Sequence, residues 1–316
     1  MPHYQLQRVN GPILQPEPAH AWESGAVFNP GTVREGNGVH VLYRAVEGEN
    51  CSAIGYARLN ADGQVLERRP EPVITREMPY EARGCEDPRI VPFGNTCYIF
   101  YTGYDGKYPE RGENARVVMA QTDDFIRYRK LGLVGPDMQD KDAMIFPEKI
   151  DGKVAFLHRI EPNIQLAMFD DLEHLLHPEP GYWEHHLEHL DSYTVMRREF
   201  EWESLKIGAG PPPIRTDAGW LLIYHGKDKR MVYRTGAALL DEKNPYRVIA
   251  RLPYPILEPE RVYERVGDVN NVVFPEGAAV FEDELQIYYG AADKVVALAV
   301  GSLSELIDVL WTHRVR

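Results

Sequence analysis

Residues 26–46, AVFNPGTVREGNGVHVLYRAV, contain a complete strand–turn–strand unit. An apolar run carrying Pro30 leads into the turn signal Gly36-Asn37-Gly38. A β-branched and aromatic run then ends at Tyr43-Arg44. The same grammar recurs four more times. The proline marks are Pro30, Pro88, Pro147, Pro212 and Pro275, and the strand marks are Tyr43, Tyr101, Leu157, Tyr224 and Tyr289. Successive prolines lie 58, 59, 65 and 63 residues apart. A β-type period of this size means radial or linear repetition of one supersecondary unit. Five such units fill the 316 residues, so the expected fold is all-β, a five-bladed β-propeller forming one domain over residues 1–316. In a propeller the same strand end of every blade meets at one mouth of the central channel.

A second strand follows each hairpin strand: SAIGYARL, ARVVMAQT, NIQLAMF, MVYRTGAALL and KVVALAV. Residues 171–200 interrupt the pattern with a partly helical or irregular stretch, read as a lengthening of the fourth unit. The tail SLSELIDVLW has a serine cap and apolar residues at helical spacing, which predicts a short terminal helix over 302–311. The proline-rich opening, with Pro12, Pro16 and Pro18, reads as an extended N-terminal arm over residues 1–20, available to a neighbouring subunit.

Composition narrows the function. A net charge of −13 opposes nucleic acid or an anionic membrane as partner, because phosphate backbones select basic surfaces. Three cysteines, Cys51, Cys85 and Cys97, are too few and too scattered for a disulfide framework or a zinc site, and the odd count fits a reducing compartment. The start MPHYQLQRVN has no apolar run of signal-peptide length, and no stretch reaches membrane-span length, so the expected localisation is cytoplasmic.

Polar residues follow the apolar strands at similar register: Arg44, Tyr104-Asp105, His158-Arg159, His225 and Asp293. Strand ends commonly turn polar where they reach water, but in a repeat fold this mixture of carboxylates and cations converges at one end of the channel. The proline segments carry the second cluster. Asp87, in Glu86-Asp87-Pro88-Arg89, is a carboxylate with restricted backbone freedom and an arginine two positions on. Alone, this tetrapeptide also fits an Asx-type turn or a salt bridge. Lys206 precedes a glycine-rich stretch and a triple proline, a weak phosphate signal in the absence of a strand–turn–helix context. His185 and His189 form an i, i+4 pair beside His186, but no third ligand of suitable spacing accompanies them, so the group reads as a solvated helical face and no metal is expected.

Taken together, WES-AVFNPG, YRA, GCEDPRI, YTGYDG, KDAMIFPEK, LHR, KIGAGPPPI, YHG, YRTGAALLD, NNVVFPEG and YYGAAD resemble glycoside hydrolase family 130, the β-mannoside phosphorylases and their hydrolytic relatives, from about Trp22 to Leu306. The resemblance implies the same five-bladed fold. It implies Asp87 as general acid, with Asn29, Arg44, Asp105 and Asp293 holding the mannosyl unit. It also implies that Arg159, Lys206 and His225 bind phosphate, with Arg44, His158 or Tyr233 as helpers. The implied reaction is inverting phosphorolysis of a β-1,2- or β-1,4-linked mannoside to α-mannose 1-phosphate, in a homo-oligomer, with inorganic phosphate as co-substrate and no cofactor. An inverting hydrolase needs a second carboxyl group to activate water, and Glu161 and Glu276 are the candidates for that base. Hydrolysis on the same scaffold is thus the alternative, followed by a non-enzymatic glycan-binding propeller.

Overall fold

The computed structural model describes residues 3–9, 11–48, 51–106 and 115–315. It is mostly strand. A short strand, β1 (Gln7–Arg8), precedes five antiparallel units laid down in chain order. The first is β2 (Ala26–Glu35), β3 (Gly38–Val46), β4 (Ser52–Asn60) and β5 (Val65–Arg68). The second is β6 (Gly84–Phe93), β7 (Thr96–Tyr104), β8 (Ala115–Thr122) and β9 (Arg129–Val134). The third is β10 (Lys141–Ile145), β11 (Val154–Arg159), β12 (Ile164–Phe169) and β13 (Thr194–Met196). The fourth is β14 (Lys206–Ala209), β15 (Ile214–Thr216), β16 (Gly219–Lys227), β17 (Tyr233–Leu240) and β18 (Val248–Arg251). The fifth is β19 (Val273–Phe281), β20 (Glu284–Ala291) and β21 (Val295–Ser302). The first two units are bridged by one parallel pair, Ser52 with Gly84.

The sequence marks fall unevenly on these strands. Pro30 and Pro275 pair directly with Tyr43 and Tyr289. Pro88 sits in a bulge of β6 between Glu86 and Arg89. Pro147 and Pro212 lie outside the strands, which corrects the expected register of the third and fourth units. Proline cannot donate to a ladder, so Pro211–Pro213 split the edge that pairs with β16 into β14 and β15.

Neighbouring units share their cores. Leu42 and Ile54 of the first pack with Ile99 and Tyr101 of the second. Phe100, Phe156, Trp220 and Tyr224 join the second, third and fourth. Leu221 and Ile223 of the fourth meet Ile287 and Tyr289 of the fifth, and Val41 and Tyr43 of the first meet Ala279 and Tyr288 of the fifth. The first strands of adjacent units run close together. A Cβ added to Gly31 of β2 would lie 2.0 Å from the Pro88 carbonyl oxygen of β6, so only glycine fits there.

Two expectations change. The irregular stretch belongs to the third unit, not the fourth: α1 (Leu172–Leu176), α2 (Tyr182–Glu188) and α3 (Leu190–Tyr193) lie between β12 and β13. The N-terminal segment lies on its own chain. β1 pairs with β21 as the outer strand of the fifth unit, and Leu14 bridges Val296. After the short α4 (Val262–Arg265), the chain ends in α5 (Leu303–Trp311). The Ser302 hydroxyl caps this helix by accepting from the Glu305 amide at 3.0 Å. Its Leu306, Val309 and Leu310 are buried with Tyr4 and Leu6.

Four units also repeat a buried polar device. Tyr43, Tyr101, Tyr224 and Tyr289 donate their hydroxyls to Glu23, Glu81, Glu203 and Glu264 at 2.8, 2.6, 3.0 and 2.8 Å. Each glutamate is fully buried and also meets a cation from the unit's outer strand: Arg68, Lys130, Arg251 or, in the fifth unit, Arg8 of β1. Buried carboxylates persist when charge and lone pairs are both answered. In the third unit His158 replaces the tyrosine. Its Nδ1 lies 2.9 Å from Asp140 Oδ2, and its Nε2 lies 3.1 Å from His186 Nε2. His186 is thus a buried anchor for α2 and not part of a solvated face.

Candidate active site

The first strands of three units bulge at one polar residue. Asn29 in β2, Asp87 in β6 and Asp142 in β10 have φ of 49, 54 and 52°, each at a register shift against the partner strand. Asparagine and aspartate tolerate this left-handed conformation better than other side-chain-bearing residues, and a bulge re-aims the side chain it carries. On the partner strands, Arg44, Thr102 and Arg159 lie opposite the residues that precede these bulges, namely Phe28, Glu86 and Lys141. His225 lies opposite Gly208. A Cβ on Gly208 would lie 2.1 Å from Asp142 Oδ2 and 2.5 Å from His225 Cε1, so a glycine is required for those two side chains to meet.

One set of contacts centres on Asp87. Its Oδ1 accepts from Asn29 Nδ2 at 2.9 Å and from Arg44 Nη1 at 3.4 Å. Arg44 also reaches Glu86 at 2.8 Å and the Ser52 hydroxyl at 2.9 Å. Lys141 approaches Glu86 at 3.4 Å. Burial pushes the Asp87 carboxyl up, but Arg44, Lys141, Asn29 and Arg89 outweigh it and hold the group below the ordinary carboxylate range.

A second set adjoins it through Arg89, which is buried at 1% exposure and donates to Asp142 Oδ1 at 3.0 Å and to the carbonyls of Asp87, Ala209 and Gly210. Its Nη2 lies 2.9 Å from Glu276 Oε1. Asp142 in turn lies 2.9 Å from Arg159 and 3.5 Å from His225 Nε2. Glu161 lies 2.5 Å from Lys206 and 3.5 Å from Arg159. The Tyr233 ring is tilted against that of His225, with centroids 5.9 Å apart, and lies under the Lys227 ammonium at 4.7 Å. Burial, against the pull of Asp142, lowers the His225 pKa to about 3, so its imidazole is neutral at physiological pH. Burial pushes Glu276 well above the ordinary glutamate value despite Arg89.

The structure therefore brings Asn29, Arg44 and Asp87 together, and separately Arg159, Lys206 and His225. Asp293 follows β20 with φ of 50°. Its carboxyl is raised to about 6 by burial, with Arg44 opposing and Asp87 and Asp268 adding to the rise. Asp105 follows the end of β7, three residues beyond Thr102. The register places Thr102, not Tyr104-Asp105, at the position equivalent to Arg44. Among the described residues no group of three His, Cys, Asp or Glu side chains is arranged to hold a metal ion. Sequence reasoning missed Asp142 and Lys141, and read Glu86 and Arg89 only as neighbours of Asp87. Aligning Lys141-Asp142-Ala143 with Phe28-Asn29-Pro30 and Glu86-Asp87-Pro88 would have found the first; Pro147 drew the register away.

The profile of a family described as beta-1,4-mannooligosaccharide phosphorylase, glycoside hydrolase family 130, matches residues 8–312. Two curated relatives from Thermoanaerobacter align almost end to end. A 1,2-beta-oligomannan phosphorylase is 39% identical over 96% of this chain and 99% of its own, and a beta-1,2-mannobiose phosphorylase is 41% identical over 94% and 97%. The solved complex of Listeria innocua beta-1,2-mannobiose phosphorylase with beta-1,2-mannobiose superposes with a TM-score of 0.80 at 26% identity, covering 98% of this chain and 99% of that one. The chain belongs to glycoside hydrolase family 130 and is an enzyme of the glycosyltransferase type.

Proposed function

We propose that the protein is an inverting β-mannoside phosphorylase acting on a β-1,2-linked mannooligosaccharide. The observation that carries this reading is the juxtaposition of two clusters. One carboxyl, Asp87, is held by Asn29 and Arg44, and beyond Arg89 and Asp142 stand Arg159, Lys206 and His225. A phosphorylase needs one acid and a set of cations, because its nucleophile arrives as an anion. Arginine offers phosphate a fork and lysine a point charge. The two relatives that align end to end act on β-1,2 linkages, which favours β-1,2 over β-1,4 here.

In the proposed reaction, phosphate oxygen attacks the anomeric carbon while the bond to the leaving sugar oxygen breaks. The leaving oxygen gains a proton by way of Asp87, and the proton lost in the net reaction is that of hydrogen phosphate. As the resemblance implies, the mannose 3-hydroxyl carries the proton between Asp87 and the leaving oxygen. Asn29, Arg44, Asp105 and Asp293 bind the mannosyl unit. Its hydroxyls compete for Arg44 and Asn29, the groups that hold Asp87 ionised in the free enzyme. The five units form a closed five-bladed propeller in one domain. Support for that closure comes from the shared cores that run from the first unit through each neighbour and back to the first. No metal or organic cofactor takes part.

Replacing Lys206 tests the reading. Lys206→Ala should raise the KM for phosphate by about 10- to 100-fold, the equivalent of one charged hydrogen bond, and change the sugar KM far less. An unchanged phosphate KM would contradict it.

A further inference from the structure

Every cation of the phosphate cluster already has a carboxylate neighbour, and the two carboxylates differ in their freedom. Asp142 is buried, with 2% of its side chain exposed, and is held on its other oxygen by Arg89. Glu161 lies two residues beyond the end of β11, with 45% of its side chain exposed. Its Oε1 reaches Lys206 at 2.5 Å and Arg159 at 3.5 Å, two of the groups assigned above to phosphate. A carboxylate and a phosphate present the same kind of acceptor oxygens to an ammonium and a guanidinium.

The surroundings make that position attractive to an anion. Lys206 and Arg159 are 16% and 5% exposed, and Lys227 stands near them over the Tyr233 ring. Burial lowers the Lys206 ammonium, and Arg159 lowers it further, while Glu161 works against both. Burial and then Lys206 lower Lys227 in the same way. Crowded, poorly solvated cations of this kind need a counter-charge when no substrate is bound, and Glu161 provides it.

We propose that Glu161 is a resident anion in the phosphate subsite, displaced into solvent by incoming phosphate, and thereby sets the enzyme's phosphate affinity. This rests on the phosphorolytic reading above. It gives Glu161 a role other than that of a base. A side chain half exposed at a strand end can rotate away at little cost, whereas Asp142 cannot leave without abandoning Arg89. The exchange places a dianion where a monoanion stood and leaves the glutamate hydrated.

The experiment is isothermal titration of inorganic phosphate into the full chain at fixed ionic strength, for wild type, Glu161→Gln and Glu161→Ala. Both variants should bind phosphate about two- to fivefold more tightly, the scale of one partly exposed ion pair. Equal or weaker binding in both variants, with wild-type binding intact, would overturn the inference and leave Glu161 as a residue that merely positions Lys206. Absence of phosphate binding in all three proteins would remove the phosphorolytic reading itself.

Discussion

At the residue scale, the chemistry depends on where single side chains are pinned. Asp87 sits in a bulge with its amide and cation partners 2.9 and 3.4 Å away, so Asp87→Asn keeps the shape and removes the proposed proton carrier. Turnover should fall by at least about 10²- to 10⁴-fold, the range for general acid catalysis, with the fold retained by circular dichroism; substantial residual turnover would remove Asp87 from the acid role. Asp293 offers a pH test. Its folded-state pKa of about 6 lies above the ordinary 3.8, so the folded chain holds this proton more tightly than the unfolded chain. The stability it contributes is full below pH 3.8 and lost as pH rises through about 6. Asp293→Asn removes the ionisation. The variant should therefore gain over wild type by roughly 2 °C or more in Tm at pH 8 and show no gain at pH 4. A gain confined to low pH would contradict the assignment.

At the element scale, the repeated unit is held by its tyrosine–glutamate–cation device as much as by its apolar faces. Tyr224→Phe removes the hydroxyl that joins Glu203 and Arg251, which stay paired with each other. The loss should be about 1 kcal/mol in urea denaturation; a loss above about 3 kcal/mol would mean that the hydroxyl does more than bridge. The device leaves a mark in the sequence that the reading passed over: Trp22-Glu23, Tyr80-Glu81, Trp202-Glu203 and Tyr263-Glu264, one dipeptide ahead of each tyrosine strand. The strand–turn–strand grammar was legible because turns and alternation are local signals. Register was not. In the third unit, Ala143 takes the place of proline after the bulge, so Pro147 was a false anchor and Asp142 went unseen. Arg89 illustrates the other limit. Its role as a link to Asp142, Glu276 and the Ala209 and Gly210 carbonyls depends on three later units, and nothing in its neighbouring residues announces that.

At the scale of the whole molecule, the two ends of the chain meet in the fifth unit. β1 supplies its outer strand, and Arg8 supplies the cation for Glu264, with Nε 2.7 Å from Oε1. Residues 8 and 264 are far apart in sequence, so this clasp ties the ends of the repeat together. Arg8→Ala would leave a fully buried carboxylate short of its counter-charge and should destabilise the protein by about 3 kcal/mol or more; thermal unfolding indistinguishable from wild type would show the clasp to be dispensable. The net charge of −13 bears on function at this scale too. Against so acidic a background, the gathering of Arg159, Lys206 and Lys227 beside the neutral His225 is the feature that favours the proposed anionic co-substrate. The most direct test is to incubate the enzyme with β-1,2-mannobiose, with and without inorganic phosphate, and to measure mannose 1-phosphate against free mannose. The account predicts α-mannose 1-phosphate formed only when phosphate is present. Free mannose released equally well without phosphate would contradict it and make the protein a hydrolase.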